Sequence, residues 1–224
     1  MPESLKETPG NTVPKRRRDL ILDAAEAEFA VHGFDGVTMR QIAREAGVDV
    51  ALPNYYYKSK RGLFDAVFLR RALVLNERRA TAIRSVIAAA GDATPGLEDI
   101  IAAYLKPIRD AQESHEPGWR NYCSLVAHIN NSRVWGEQMM SKHFNDFVVI
   151  FIDALKLAMP EADEKDIYWG YHFFSGALTL TMADTGRIDL LSDGLCHSGD
   201  FSEAYDRMTD FIADGFRRIC LTAQ

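Results

Sequence analysis

The stretch TMRQIAREAGVDVALPNYYYKSK, Thr38 to Lys60, decides the fold. It opens with a threonine followed three residues later by glutamine, the T-x-x-Q form of a capping box, in which each side chain satisfies an open backbone N–H of the other residue. Ile42, Ala43 and Ala46 give the short helix that follows one apolar side, and Gly47 stops it. Asp49 reads as the next N-cap, placing a third helix of about two turns over Val50 to Tyr56. Two short helices joined through A-G-V-D form a helix-turn-helix unit, with the glycine supplying a positive φ at the turn.

The second half of the stretch is an odd helix. Pro53 lies inside its start, where proline deletes a backbone hydrogen bond and crowds the carbonyl four residues earlier, so a tight, 3₁₀-like start is expected. Three consecutive tyrosines, Tyr55 to Tyr57, form helix poorly, but a helix held by its surroundings tolerates them. Phenols bring an apolar body to the core and a hydroxyl to a polar partner. Tyr57 is assigned to the core.

Outward from this unit, residues 1–14 read as a flexible arm. A first helix follows from about Lys15 to His32, with Ile21, Ala25 and Phe29 on one side and Gly33 as a left-handed cap. A long helix runs from Ser59 through Leu63, Val67 and Leu75 to Ala90, broken by GDATPG (Gly91 to Gly96). Further helices are expected over Leu97–Ser114, Trp119–Asn130, Arg133–Met159, Asp163–Thr185 and Phe201–Leu221, separated by Glu116-Pro117-Gly118, Pro160 and a loop from Gly186 to Gly199. No alternating β-branched run appears, so the class is all-α, with a head over residues 15–62 and a body over residues 63–224.

Composition narrows the function. With 47% apolar residues in 224 the chain buries a real core. Cys123, Cys196 and Cys220 are too scattered for a disulfide framework or thiolate metal cage, which fits a reducing cytoplasm. No apolar run is long enough to span a membrane, and the polar N-terminus lacks a secretory pattern. The histidines show no ligand spacing, so no metal is expected, and no catalytic or cofactor motif is present. Net charge is −6, unevenly spread: residues 1–80 hold 14 Lys/Arg against 11 Asp/Glu, and residues 81–224 hold 12 against 21. A basic head on an acidic body points to an anionic partner for the head.

The candidates for that contact are the KRRR run, including Lys15, Arg16 and Arg17, with Thr38, Arg40, Tyr55, Tyr56 and Lys60. Hydroxyls and cationic groups grip phosphates, while the start of a recognition helix meets base edges. The run ILDAAEAEFAVHGFDGVTMRQIAREAGVDVALPNYYYKSKRGLF, Ile21 to Phe64, closely resembles the DNA-binding domain of TetR-family transcriptional repressors. Its pieces are A-x-x-x-F-x-x-x-G-F, T-x-R-x-I-A-x-x-A-G-V, an aromatic cluster, and S-K-x-x-L-F. The resemblance implies that Arg40, Val50, Ala51 and Leu52 face bases, that Thr38, Tyr55, Tyr56 and Lys60 hold phosphates, and that Asn54 lies close to the groove. Pro53 departs from the usual aliphatic residue. Arg40 would then select guanine, Asn54 adenine and the apolar side chains thymine methyls.

The same resemblance implies a helical ligand-binding and dimerisation body, a homodimer and a palindromic double-stranded operator. A pocket for a small hydrophobic effector is expected among Tyr104, Trp119, Tyr122, Cys123 and Trp135, with Met139, Phe144, Phe147, His172 and Phe173 completing it. Arg109, Arg120 or Arg133 could pair an acidic head group, although for any one of them a surface ion pair is the favoured reading. The YWGYHFFSGALTLTMA segment, Tyr168 to Ala183, is similar to a fatty-acid-responsive branch, which implies a fatty acid or acyl-CoA as effector. The last two helices would pair with a second copy through Trp169, Ala177, Leu180, Phe211, Ile212, Phe216 and Ile219. Two alternatives stay open here: an enzyme with no recognisable motif, and a helical module whose basic head binds an acidic protein. Strong preference for one DNA sequence over bulk competitor separates the first reading from both.

Overall fold

A computed structural model describes residues 16–132, 139 and 141–221. Among them all regular structure is helical, in ten elements: α1 (Arg17–His32), α2 (Met39–Glu45), α3 (Ala51–Tyr57), α4 (Lys60–Ala90), α5 (Leu97–Glu113), α6 (Pro117–Asn130), α7 (Ser141–Ala158), α8 (Glu164–Met182), α9 (Arg187–Leu191) and α10 (Phe201–Leu221). No helix of the described residues is long and apolar enough to cross a membrane.

The stop and start signals act largely as the sequence implies. The capping box closes α2: the Gln41 N–H donates to Thr38 Oγ1 at 3.2 Å, and the Thr38 N–H donates to Gln41 Oε1 at 2.8 Å. Gly33 and Gly47 both take positive φ, 67° and 62°, although Gly33 pairs it with a ψ of 177° rather than the left-handed helical value. Ser59 caps α4 by accepting from the Gly62 N–H at 3.0 Å. Differences lie at the edges. α6 begins at Pro117, since proline suits a first helical turn, and α8 ends at Met182. The loop expected over residues 186–199 contains the short α9. Of the helix expected over residues 133–159, residues 133–138 and 140 lie outside the described residues.

α4 organises the molecule. At 1.5 Å per residue its 31 residues span about 46 Å, passing without a break through the expected head–body boundary. Leu63, Phe64, Val67 and Phe68 belong to its buried stripe near the head, where Phe64 meets Phe29 of α1 edge-on with ring centroids 5.0 Å apart. Further along, Ala72, Leu75, Ala80 and Ile83 are buried where α4 packs on α5 and α7. α10 closes the body against α5 and α8, and α6 lies between α1 and α8.

Candidate nucleic-acid interface and effector cavity

On α3 the helical period separates two faces. Val50, Ala51, Asn54 and Tyr55 are exposed, with Lys58 just past the last turn, whereas Pro53 and Tyr57 are buried and half-buried Leu52 packs on the core. Tyr55 is 68% exposed and Tyr56 37%. Leu52 was expected to face bases; two positions along from Val50, it instead lies on the inward side. Pro53 is accommodated by the expected tight start. Its missing N–H would have bonded the Asp49 carbonyl, which instead accepts from the Leu52 N–H at 3.0 Å, while Asp49 Oδ1 accepts from the Ala51 N–H at 2.8 Å.

Tyr57 joins this helix to the start of α1. Its hydroxyl donates to the Arg18 carbonyl at 3.2 Å, and the Arg18 guanidinium lies 5.6 Å from the ring centre, so the basic run and the end of α3 meet. Burial pushes the Tyr57 phenol above its ordinary pKa. Arg16, Arg17 and Arg40 are exposed; Lys15 lies outside the described residues. Two expected phosphate ligands are engaged elsewhere. The Thr38 hydroxyl donates to Gln41 Oε1 at 2.7 Å, so its proton serves the cap. Lys60 Nζ donates to the Val37 carbonyl at 2.9 Å and sits 4.3 Å from the Phe34 ring centre, bracing the head from within. Lys58, which the sequence reading passed over, adopts a φ of 68° at the end of α3, with its ammonium 3.0 Å from the Tyr55 carbonyl and 5.6 Å from that ring's centre.

Head and body join through a buried ion cluster. Glu26 of α1 is 2% exposed, and its Oε2 accepts from Arg70 Nη2 and Arg71 Nε of α4, each at 2.7 Å. Arg70 Nη1 also reaches Asp23 at 2.7 Å, and the Arg71 guanidinium lies 4.7 Å from the Trp119 ring centre on α6. Gly118 leaves room for this: a Cβ there would stand 1.9 Å from Arg71 Nη2 and 2.2 Å from Glu26 Oε1.

Inside the body a small cavity of about 30 Å³ is lined by α4, α5, α6, α7 and α8, with Arg79, Tyr104, Tyr122, Phe144, Leu178 and Met182 among its walls. Arg79 is 3% exposed. Its guanidinium stacks 4.0 Å from the Tyr104 ring centre and 4.1 Å from that of Phe147, and one nitrogen donates to Asn76 Oδ1 at 3.2 Å. Burial raises the pKa values of the Tyr104, Tyr122 and Tyr171 phenols, and the Cys123 thiol is pushed up to about 12, with Arg79 opposing the rise in every case. Of the expected pocket residues, Tyr104, Trp119, Tyr122, Cys123, Met139, Phe144 and Phe147 are buried in the body. Trp135 lies outside the described residues. His172 and Phe173 are corrected: they are exposed, because they fall on the outward side of α8. A larger open cleft of about 730 Å³ between α4, α5 and α10 contains Arg109, but that arginine is already paired with Asp206 at 3.1 Å. Arg120 donates to the Gln112 carbonyl at 2.8 Å. Neither is the arginine of the buried cavity, and Arg133 lies outside the described residues.

The outward side of α8 carries Trp169, stacked on Phe173 at 5.8 Å and 26°, followed by Leu180, while Phe211 of α10 is 73% exposed. Ile188, Leu190, Leu191 and Leu195 extend this apolar surface, a part hidden from sequence reasoning because the segment carries loop signals. Ile212 and Phe216, expected at an interface with another copy, are buried within the chain; the Phe216 ring fills the space where Gly170 lacks a side chain, a Cβ there falling 2.3 Å from it. Ala177 and Ile219 are partly buried.

Residues 21–67 match the family described as bacterial regulatory proteins, tetR family, and residues 102–215 match the tetracyclin repressor-like C-terminal domain. The HTH-type transcriptional regulator BetI of Agrobacterium fabrum is 41% identical over 75 residues, covering 34% of this chain and 35% of BetI. The chain thus spans about a third of that relative's length. HlyIIR, a hemolysin II transcriptional regulator, superposes with a TM-score of 0.58 at 19% identity, over 87% of this chain and 97% of HlyIIR. A Clostridium perfringens protein proposed to regulate fatty acid metabolism gives 0.59 at 20% identity, over 88% and 97%. At such identities the likeness is one of fold.

Proposed function

Since the chain belongs to the TetR family of bacterial regulatory proteins, we propose that it is a ligand-responsive transcriptional repressor, binding a palindromic operator as a homodimer and released by a small hydrophobic effector. The observation behind the proposal is the outward side of α3. Val50, Ala51, Asn54 and Tyr55 stand clear of the core, on a helix whose other side is fastened down by Pro53 and Tyr57. Arg40 at the start of α2 and Arg16 and Arg17 at the start of α1 supply exposed cations. Arg40 reads guanine, Asn54 adenine, and Val50 and Ala51 the thymine methyl; Tyr55, Tyr56, Arg16 and Arg17 hold phosphates.

The apolar outer side of α8, α9 and α10, centred on Trp169, Phe173, Leu180 and Phe211, is the surface we assign to a second copy. Two-fold pairing sets the two α3 helices about one DNA turn apart, roughly 34 Å. The effector class we infer is a fatty acid or its acyl-CoA thioester, taken into the body beside α4. Because α4 runs from that cavity to the Glu26 cluster, a ligand that favours one packing of α4 changes the separation of the heads.

Selection of duplexes from a random pool tests the proposal. The purified chain should enrich a palindrome and hold it against bulk DNA, and Arg40→Ala should lose the guanine preference. Equal affinity for all duplexes, or a chain that stays monomeric by sedimentation, would overturn it.

A further inference from the structure

A buried guanidinium without a counter-charge needs explanation, because removing a charge from water is costly unless it is paired. Arg79 is such a group. Among the described residues no carboxylate pairs with it, its Nε has no hydrogen-bond partner, and across the cavity the Tyr122 hydroxyl, also fully buried, has none either. Arg79 opposes the burial-driven rise in the pKa of Tyr104, Tyr122, Cys123, Tyr171 and Tyr205 alike, which puts its charge within reach of groups all around the cavity. The remaining walls are mostly apolar, with Phe144, Leu178 and Met182 among them, and Tyr104, Tyr171, Ser175 and Thr179 complete the lining.

We propose that the effector is an apolar monocarboxylate, whose carboxylate oxygens accept hydrogen bonds from Arg79 Nε–H and the Tyr122 hydroxyl while its tail lies against Phe144, Leu178 and Met182. The proposal rests on the reading of the body as the effector-binding part, and it narrows the effector class to the free acid, since an acyl thioester has no carboxylate at that end of the acyl chain. A planar guanidinium pairs a carboxylate through two parallel N–H donors and keeps its charge at every working pH. In the arrangement seen, the cavity of about 30 Å³ admits little beyond a single small group. Entry of a tail therefore spreads α4 from α6 and α8, which links the site to the position of the head.

The test is calorimetric titration of the full chain with octanoate, 1-octanol and octylamine, repeated on Arg79→Met, Arg79→Lys, Tyr122→Phe and Leu178→Trp. The wild-type chain should bind octanoate about tenfold or more tightly than 1-octanol and should not bind octylamine. Arg79→Met should lose that preference and keep 1-octanol binding, Arg79→Lys should retain part of the preference, and Tyr122→Phe should weaken octanoate a few-fold. Operator release by octanoate should follow the same order. Equal binding of octanoate and 1-octanol, both abolished by Leu178→Trp, would overturn the carboxylate assignment and leave the effector site standing. Octanoate affinity unchanged in Arg79→Met would overturn it too. If no probe binds and Leu178→Trp leaves DNA binding and its release unaltered, the effector reading of this cavity falls as well.

Discussion

Two arginines on α4, Arg71 and Arg79, lie about two turns apart and meet opposite surroundings. Arg71 reaches Glu26 and stacks on Trp119 at the junction of head and body. Arg79, at the centre of the body, lies against two neighbouring aromatic rings, those of Tyr104 and Phe147, and has no carboxylate among the described residues. The first arrangement builds structure, because a buried charge that is paired and hydrogen-bonded locks the elements carrying its partners. The second leaves electrostatic attraction unused within the chain, the condition expected of a binding group.

The largest expected effect separates the two regions. Glu26→Ala removes the buried carboxylate shared by two half-buried guanidinium groups, leaving Arg70 only Asp23 and Arg71 only the more distant Glu116, and should cost about 2–4 kcal/mol in denaturant unfolding; a loss near zero would mean that the junction is not held by this cluster. Gly118→Ala should follow at about 1–3 kcal/mol, since its Cβ would overlap Arg71 and Glu26. A wild-type unfolding midpoint in that variant would show that the junction yields easily.

Within the head, Lys60→Met should cost about 1–2 kcal/mol by leaving the Val37 carbonyl without its donor. The salt dependence of DNA affinity should stay unchanged, whereas Arg17→Ala should lower that slope by about one. A lowered slope in Lys60→Met would return that lysine to the phosphate backbone. The smallest effect belongs to Arg79→Met. Replacing an unpaired buried charge by an apolar side chain of similar length should leave effector-free stability within about 1 kcal/mol of wild type or raise it. A loss as large as that of Glu26→Ala would erase the contrast between the two arginines.

Most of the head was legible in the sequence because its signals are local. A threonine and a glutamine three residues apart close α2, an aspartate starts α3, and a proline forces the tight first turn, each through atoms within a few residues of one another. Val50, Ala51, Asn54 and Tyr55, placed at the DNA by the family resemblance, are exposed, as that reading requires. Leu52 is not, since one step around a two-turn helix exchanges outside for inside. The internal contacts of Lys60 were hidden for a related reason: a lysine at a helix start looks free until Phe34 and the Val37 carbonyl, far back in the chain, come to lie beneath it.

The body was legible as helices and as an apolar reservoir, since period and punctuation carry that much. Which of its arginines matters was not legible. Arg109, Arg120 and Arg79 look alike in the sequence; packing gives the first an aspartate and the second a carbonyl oxygen, and leaves the third without a carboxylate partner among the described residues. The outward turn of His172 and Phe173, the inward turn of Phe216 and the apolar display of α9 likewise emerge only when α8 and α10 are set against each other. The sequence by itself determined the elements and the character of the head, because backbone hydrogen bonding and helical period are short-range. The tertiary structure decided which charges are satisfied and which apolar sides remain open, because both depend on groups that only the fold brings together.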